Sequence, residues 1–131
     1  MIALRAALVA MLLVPGAGPA SAASLPGSTR AEIDALLGAL HASSCSFNRN
    51  GAWHSADEAK SHLLRKLRYL EDRGAVRTAE DFVELAASRS SASGTPYLVR
   101  CGVGEPVASG AWLMAQLKLM RTFGAGNGPR R

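Results

Sequence analysis

The stretch Cys45-Ser46-Phe47-Asn48-Arg49-Asn50-Gly51-Ala52-Trp53 constrains this chain more than any other. It carries one of the two cysteines, one of the two tryptophans and the strongest hairpin signal in the sequence. An Asn-Gly pair tolerates the positive φ angles of a two-residue turn, so two very short strands are expected on either side of it. Arg49 to Gly51 then forms a polar tip between large apolar residues that call for burial. The remainder reads as a small helical scaffold that holds this stretch against a second polar loop, Arg89 to Tyr97.

The second cysteine, Cys101, has meaning only together with the compartment. Met1 to Arg5 is a short positively charged segment, Ala6 to Val14 an apolar run, and Ala20-Ser21-Ala22 presents small residues where a signal peptidase reads. A run that short cannot span a bilayer, which takes about 20 residues. No cysteine follows the small residues, so no lipid tether is expected. The sequence therefore predicts a cleaved signal peptide over 1–22, a single exported domain over 23–123, a flexible basic tail over 124–131 and a periplasmic or secreted protein. About 109 residues remain after cleavage, enough for one domain and too few for two. In an oxidising compartment two cysteines read as one disulfide, Cys45–Cys101; a free nucleophilic thiol is the competing reading. A bridge closing about half the domain contributes roughly 4 kcal/mol in the chain-entropy model.

Removing Arg5 lowers the formal charge from +5 to +4. The basic residues are scattered apart from Arg65, Lys66 and Arg68, and no aromatic-interleaved basic stripe appears, so nucleic acid is not expected as a partner. The basic trio reads as a solvated helix face before it reads as a lipid-headgroup contact.

Periodicity supplies the helices. Thr29 and Glu32 form a capping box ahead of Ile33, Leu36, Leu37 and Leu40, which predicts a helix over Arg30–His41. Ser55 and Glu58 open the longest helix, Ala56–Arg73, with Ala59, Leu63, Leu67 and Leu70 as its stripe and Gly74 as its stop. Thr78 with Asp81 starts a third helix, with Phe82, Leu85 and Ala86 inward, fading by Ser88. Arg89 to Pro96 is a loop by composition, Tyr97 to Cys101 a short strand, and Gly104 to Pro106 a turn. Ser109 caps a last helix carrying Trp112, Leu113, Ala115, Leu117 and Met120, and Trp112, Ala115 and Leu119 at helical spacing read as ordinary core rather than as a partner-binding face. The expected fold class is mainly α with a small β patch: about four helices, a hairpin, one further strand and one disulfide.

Cys45, Phe47, Arg49-Asn50-Gly51, Glu58-Ala59, His62-Leu63, Lys66, Thr78 to Phe82 and Ser90 to Tyr97 together resemble an uncharacterised exported bacterial family, the YfeK-like family of unknown function. The resemblance runs through nearly all of the mature domain. It implies a small periplasmic protein and assigns no activity. The family often has a tyrosine where this chain has His54, so no role for that ring is implied.

The candidate site combines the two loops with one edge of the second helix. Glu58, His62 and Lys66 follow i, i+4, i+8 spacing and so share an edge beside the apolar stripe. Arg49 and Asn50 come from the hairpin turn; Ser90, Ser91, Ser93 and Tyr97 come from the second loop. Cations, hydroxyls and backbone N–H groups near a glycine are what an anion or carboxylate pocket requires. The competing structural reading pairs Arg49 with Glu58 and has the serines satisfy their own loop. An enzyme reading takes Ser91 or Ser93 as nucleophile with His62 as base and Glu58 orienting it, but no nucleophile elbow is present. His41, His54 and His62 have no metal-ligand spacing, so neither metal nor cofactor is expected. The sequence thus favours a periplasmic binding or accessory protein for a small anionic or peptide-like ligand or a periplasmic partner. A small hydrolase and a structural interaction protein without a pocket are the alternatives.

Overall fold

The computed structural model describes residues 25–126 together with positions 13, 15 and 16. Apart from those three positions, the expected leader lies outside the described residues, as do 127–131 of the expected tail.

The first helix, α1 (Gly27–Ser43), begins earlier than its capping signal suggests. Pro26 sits at the cap position, where its fixed φ suits a helix start and its missing N–H costs nothing. Thr29 is therefore inside the helix, and its hydroxyl donates to the Arg77 carbonyl at 2.8 Å instead of capping. Glu32, the other half of the expected box, pairs with Arg121. Ile33, Leu36, Leu37 and Leu40 form the buried stripe as expected.

The hairpin follows: β1 (Ser46–Arg49) and β2 (Ala52–His54) pair antiparallel around Asn50 and Gly51. Both turn residues have positive φ, 52° and 83°, as the Asn-Gly signal requires. Phe47 is buried, but Trp53 is not. It pairs with Asn48, on the face opposite Phe47, and its ring packs under the Arg100 guanidinium at 4.3 Å.

Helix α2 (Ala56–Glu71) is capped by Ser55, whose Oγ accepts the Glu58 N–H at 3.2 Å. Glu58 does not complete the box, because its carboxylate is taken by His54. The helix ends short of Arg73; Gly74, at φ 64°, turns the chain. In α3 (Ala79–Ala86) the Thr78–Asp81 capping box is complete. Phe82 and Ala86 are buried as expected, but Val83 takes the inward position assigned to Leu85, which is 45% exposed.

Beyond the second loop, β3 (Leu98–Arg100) pairs with β1 on one side and with an unexpected fourth strand, β4 (Val107–Ala108), on the other. The sheet order is β2-β1-β3-β4. Helix α4 (Ser109–Gly126) carries through Gly124, where a flexible tail was expected, to Gly126. Ser109 does not cap it: the hydroxyl is fully buried without a hydrogen-bond partner, while its N–H donates to the Tyr97 carbonyl at 2.9 Å. Leu113 and Leu117 are the core residues of this helix. Trp112 and Met120 pack at the core's margin, and Ala115 and Leu119 face outward. Leu113 and Leu117 thus face inward as expected, whereas Ala115 and Leu119 do not.

Phe47 of β1 and Val99 of β3 are register partners, and their side chains join the buried helix stripes in one core. Cys45 and Cys101 form the disulfide, with Cα atoms 4.4 Å apart at the ends of the two central strands. No helix among the described residues is long and apolar enough to cross a membrane. The fold is α+β: four helices, a four-stranded antiparallel sheet and one disulfide.

Candidate anion-binding groove

Three segments enclose a groove of about 810 Å³, within the usual range for small-ligand sites. The hairpin turn contributes Arg49 and Asn50 and the second loop Ser90, Ser91 and Tyr97. Helix α2 contributes His62, Arg65, Lys66 and Tyr69, whose i, i+3, i+4, i+7 spacing places them on one face.

The second loop is held largely by itself. Ser90 N–H donates to the Thr95 carbonyl and Gly94 N–H to the Ser90 carbonyl, both at 2.9 Å. The buried Ser90 Oγ accepts the Ser93 N–H at 3.3 Å. Ser93 Oγ donates toward Asn50 Oδ1 at 2.9 Å, which fastens the loop to the hairpin turn.

At the centre is a run of side chains: Arg49, His62, Tyr97, Lys66. Arg49 Nη1 contacts His62 Nδ1. His62 Nε2 and Lys66 Nζ each lie 3.2 Å from the Tyr97 hydroxyl, and Lys66 also donates to the Arg89 carbonyl at 3.1 Å. The Tyr97 ring packs on Phe47, with centroids 5.1 Å apart, and the residue, only 2% exposed, belongs to the floor of the groove.

Proton placement follows from donor chemistry. A guanidinium only donates, so His62 Nδ1 accepts from Arg49, and a neutral imidazole then carries its hydrogen on Nε2. That N–H donates to the Tyr97 oxygen, as does Lys66. Burial pushes the His62 pKa down to about 4, helped by the charges of Arg49, Lys66, Arg65 and His54. Burial, and then Arg49, lowers Lys66. Burial raises Tyr97, with the Arg49 charge acting against it.

No carboxylate lines the groove, and among the described residues none pairs with Arg49, Arg65 or Lys66. Asp57 and Glu58 line a separate, smaller hollow that shares Arg49, His54 and Arg65 with the groove. The cationic cluster is thus uncompensated on its groove side, a state that an anion relieves.

Of the residues singled out from sequence, Arg49, Asn50, His62, Lys66, Ser90, Ser91 and Tyr97 line this one groove. Glu58 and Ser93 do not. Glu58 faces His54, 2.9 Å from its Nδ1, so the expected Arg49–Glu58 pair is replaced by Arg49–His62. Ser93 serves the loop, as the structural reading expected. Both nitrogens of His62 are engaged by Arg49 and Tyr97, and Glu58 contacts His54 rather than His62. Sequence reasoning missed Arg65, Tyr69, Leu70 and Leu85 as groove residues. The helical spacing from His62 points to Arg65 and Tyr69; nothing in the pattern of α3 distinguishes Leu85 from core. Among the described residues, no three His, Cys, Asp or Glu side chains gather as metal ligands.

The chain matches the model of the Family of unknown function (DUF5329) over residues 27–121. It is also 40% identical over 92 residues to the Uncharacterized protein YfeK of Salmonella typhimurium, an alignment covering 70% of this chain and 72% of that protein. No solved structure matches it at a significant level. The chain belongs to the DUF5329 family.

Proposed function

We propose that this member of a family without an assigned activity is a small periplasmic binding or accessory protein. Its groove between the hairpin turn, α2 and the second loop takes a small anionic ligand or the anionic end of a partner segment. One observation carries the reading: Arg49, Arg65 and Lys66 meet at a groove of about 810 Å³ whose walls contain no carboxylate. Burial first, and then the charge of Arg49, shift both Lys66 and His62 toward their neutral forms. A bound anion reverses that penalty, so part of its affinity comes from relief of strain already present in the free protein. The signal-peptide pattern at the start of the sequence and the disulfide support a periplasmic location.

Thermal melts of the oxidised protein against inorganic phosphate, simple carboxylates and short peptides test this. A ligand at 100 times its dissociation constant adds about 2.7 kcal/mol, a shift of several degrees for a domain this small. The shift is expected to vanish in Lys66→Met and Arg49→Ala. An unchanged shift in both variants, or none with any anion at millimolar concentration, refutes the proposal.

A further inference from the structure

We infer that the groove takes an amphiphilic carboxylate: one carboxyl head at Tyr97 and Lys66, and an apolar body lying along α2 toward Leu70. This narrows the anion-binding reading and rests on it.

The head is argued from a count of donors. The Tyr97 oxygen accepts from His62 and from Lys66, which uses both of its lone pairs and leaves its own hydrogen to be donated. Lys66 has three N–H groups, of which one goes to Tyr97 and one to the Arg89 carbonyl. One O–H of the buried Tyr97 and one N–H of Lys66 therefore remain unspent, their heavy atoms 3.2 Å apart at the floor of the groove and beside a net positive charge. That pair matches the two oxygens of a single carboxylate, and charge-assisted bonds of this kind are the strong ones. Arg49 and Arg65 line the same groove and add guanidinium donors that also suit a phosphate, so octyl phosphate is the decisive competitor.

The body is argued from the order of residues along the helix. His62, Arg65 and Lys66 come first, and Tyr69 and Leu70 follow, all lining the same groove. At about 1.5 Å of rise per residue, Leu70 lies some 6 Å beyond Lys66 and about 12 Å beyond His62 along the axis. The wall therefore changes from cationic to apolar over the length of a short alkyl chain. Leu85 of α3 lines the groove as well, 45% exposed although the α3 pattern assigns it to the core. Tyr69 is also open, 57% exposed, with one face covered by Arg73. Exposed apolar walls beside an uncompensated cation suit a ligand with both characters.

The test compares octanoate, acetate, 1-octanol and octyl phosphate by isothermal titration calorimetry on the oxidised protein. Octanoate should bind at least tenfold more tightly than acetate, which lacks the tail, and than octanol, which lacks the charge. Tyr97→Phe keeps the ring against Phe47 and should lower octanoate affinity at least tenfold; should that variant fail to fold, Lys66→Gln carries the same test. Leu85→Ser should weaken octanoate severalfold and leave acetate unchanged. Equal affinity for acetate and octanoate, or tighter binding of octyl phosphate, overturns this inference and leaves the anion-binding reading standing. A leucine-terminated peptide that outbinds octanoate and fails when amidated would assign the groove to a partner's C-terminus and overturn the free-amphiphile assignment. Absence of binding by every anion overturns both.

Discussion

Replacing Ser109 by alanine should stabilise this protein, and replacing Thr29 by valine should destabilise it, although both remove a buried hydroxyl. The two differ in what the hydroxyl does. Ser109 is fully buried, and its Oγ has no hydrogen-bond partner among the described residues. Its backbone N–H, bound to the Tyr97 carbonyl, survives the substitution. Burying an unsatisfied hydroxyl costs about 1–3 kcal/mol, so removing it should gain about 1 kcal/mol after the small void left behind is charged against it. Thr29 donates to the Arg77 carbonyl at 2.8 Å and so ties α1 to the segment between α2 and α3. Valine has the same shape and cannot donate, so Thr29→Val should lose about 1 kcal/mol. For a domain of about 100 residues, each change moves the melting temperature by roughly 4–8 °C, in opposite directions. Urea titrations of the oxidised protein should show the two midpoints separating with unchanged slopes. A loss of stability in Ser109→Ala would mean that the hydroxyl is satisfied in solution, and the argument from an orphaned donor would fail.

Reducing the Cys45–Cys101 bridge should lower stability by about 2–4 kcal/mol, read as a fall in the melting temperature under dithiothreitol; a melt unaffected by reductant would refute it. His62 sets a pH dependence. Its folded pKa of about 4 lies below its ordinary 6.5, so the unfolded chain takes up a proton first. Its contribution is present above about pH 6.5 and is lost as the pH falls toward 4, about 1 kcal/mol once discounted for solvent exposure. His62→Gln should flatten the urea midpoint across that window while leaving the steeper loss at lower pH. That lower limb belongs to Glu32 and Glu80, held down by Arg121, and to Asp81, held down by the Arg77 and Thr78 N–H groups. Gly51→Ala, at φ 83°, should cost about 1 kcal/mol through the left-handed turn position alone, whereas the same change at Gly38 inside α1 should be neutral or mildly stabilising.

Local chemistry made most of the architecture legible. The Asn50-Gly51 turn and the Thr78–Asp81 cap depend on residues close in sequence, and both form as expected. The two hydroxyls that were misassigned, Thr29 and Ser109, miss for different reasons: Thr29 bonds a tertiary carbonyl in place of a cap worth about 1 kcal/mol, whereas Ser109 is buried at the end of β4 with its N–H on the Tyr97 carbonyl. The short strand β4 carries no pattern, since two residues cannot alternate. The groove was half legible. His62 and Lys66 share a helix edge by spacing, but Glu58, on that same edge, is drawn away by His54, a residue the periodicity does not connect to it. Leu85 was hidden because exposure of an apolar residue on a short amphipathic helix depends on its neighbours in space.

The antiparallel register of β1 and β3 gives the disulfide a mechanical meaning. Ser46 faces Arg100 and Asn48 faces Leu98, so Cys45 and Cys101 close one end of the strand pair while Arg49 and Tyr97 emerge at the other. The arrangement is that of tweezers with a riveted base and tips held without a covalent link. The tips carry the groove, joined by the exposed Ser93–Asn50 bond and by the Arg49–His62–Tyr97 run. Amide exchange should therefore grade along the strands, slowest beside the rivet and fastest at the tips. A ligand gripping both arms would slow exchange at the tips while the base, already clamped, stayed as it was.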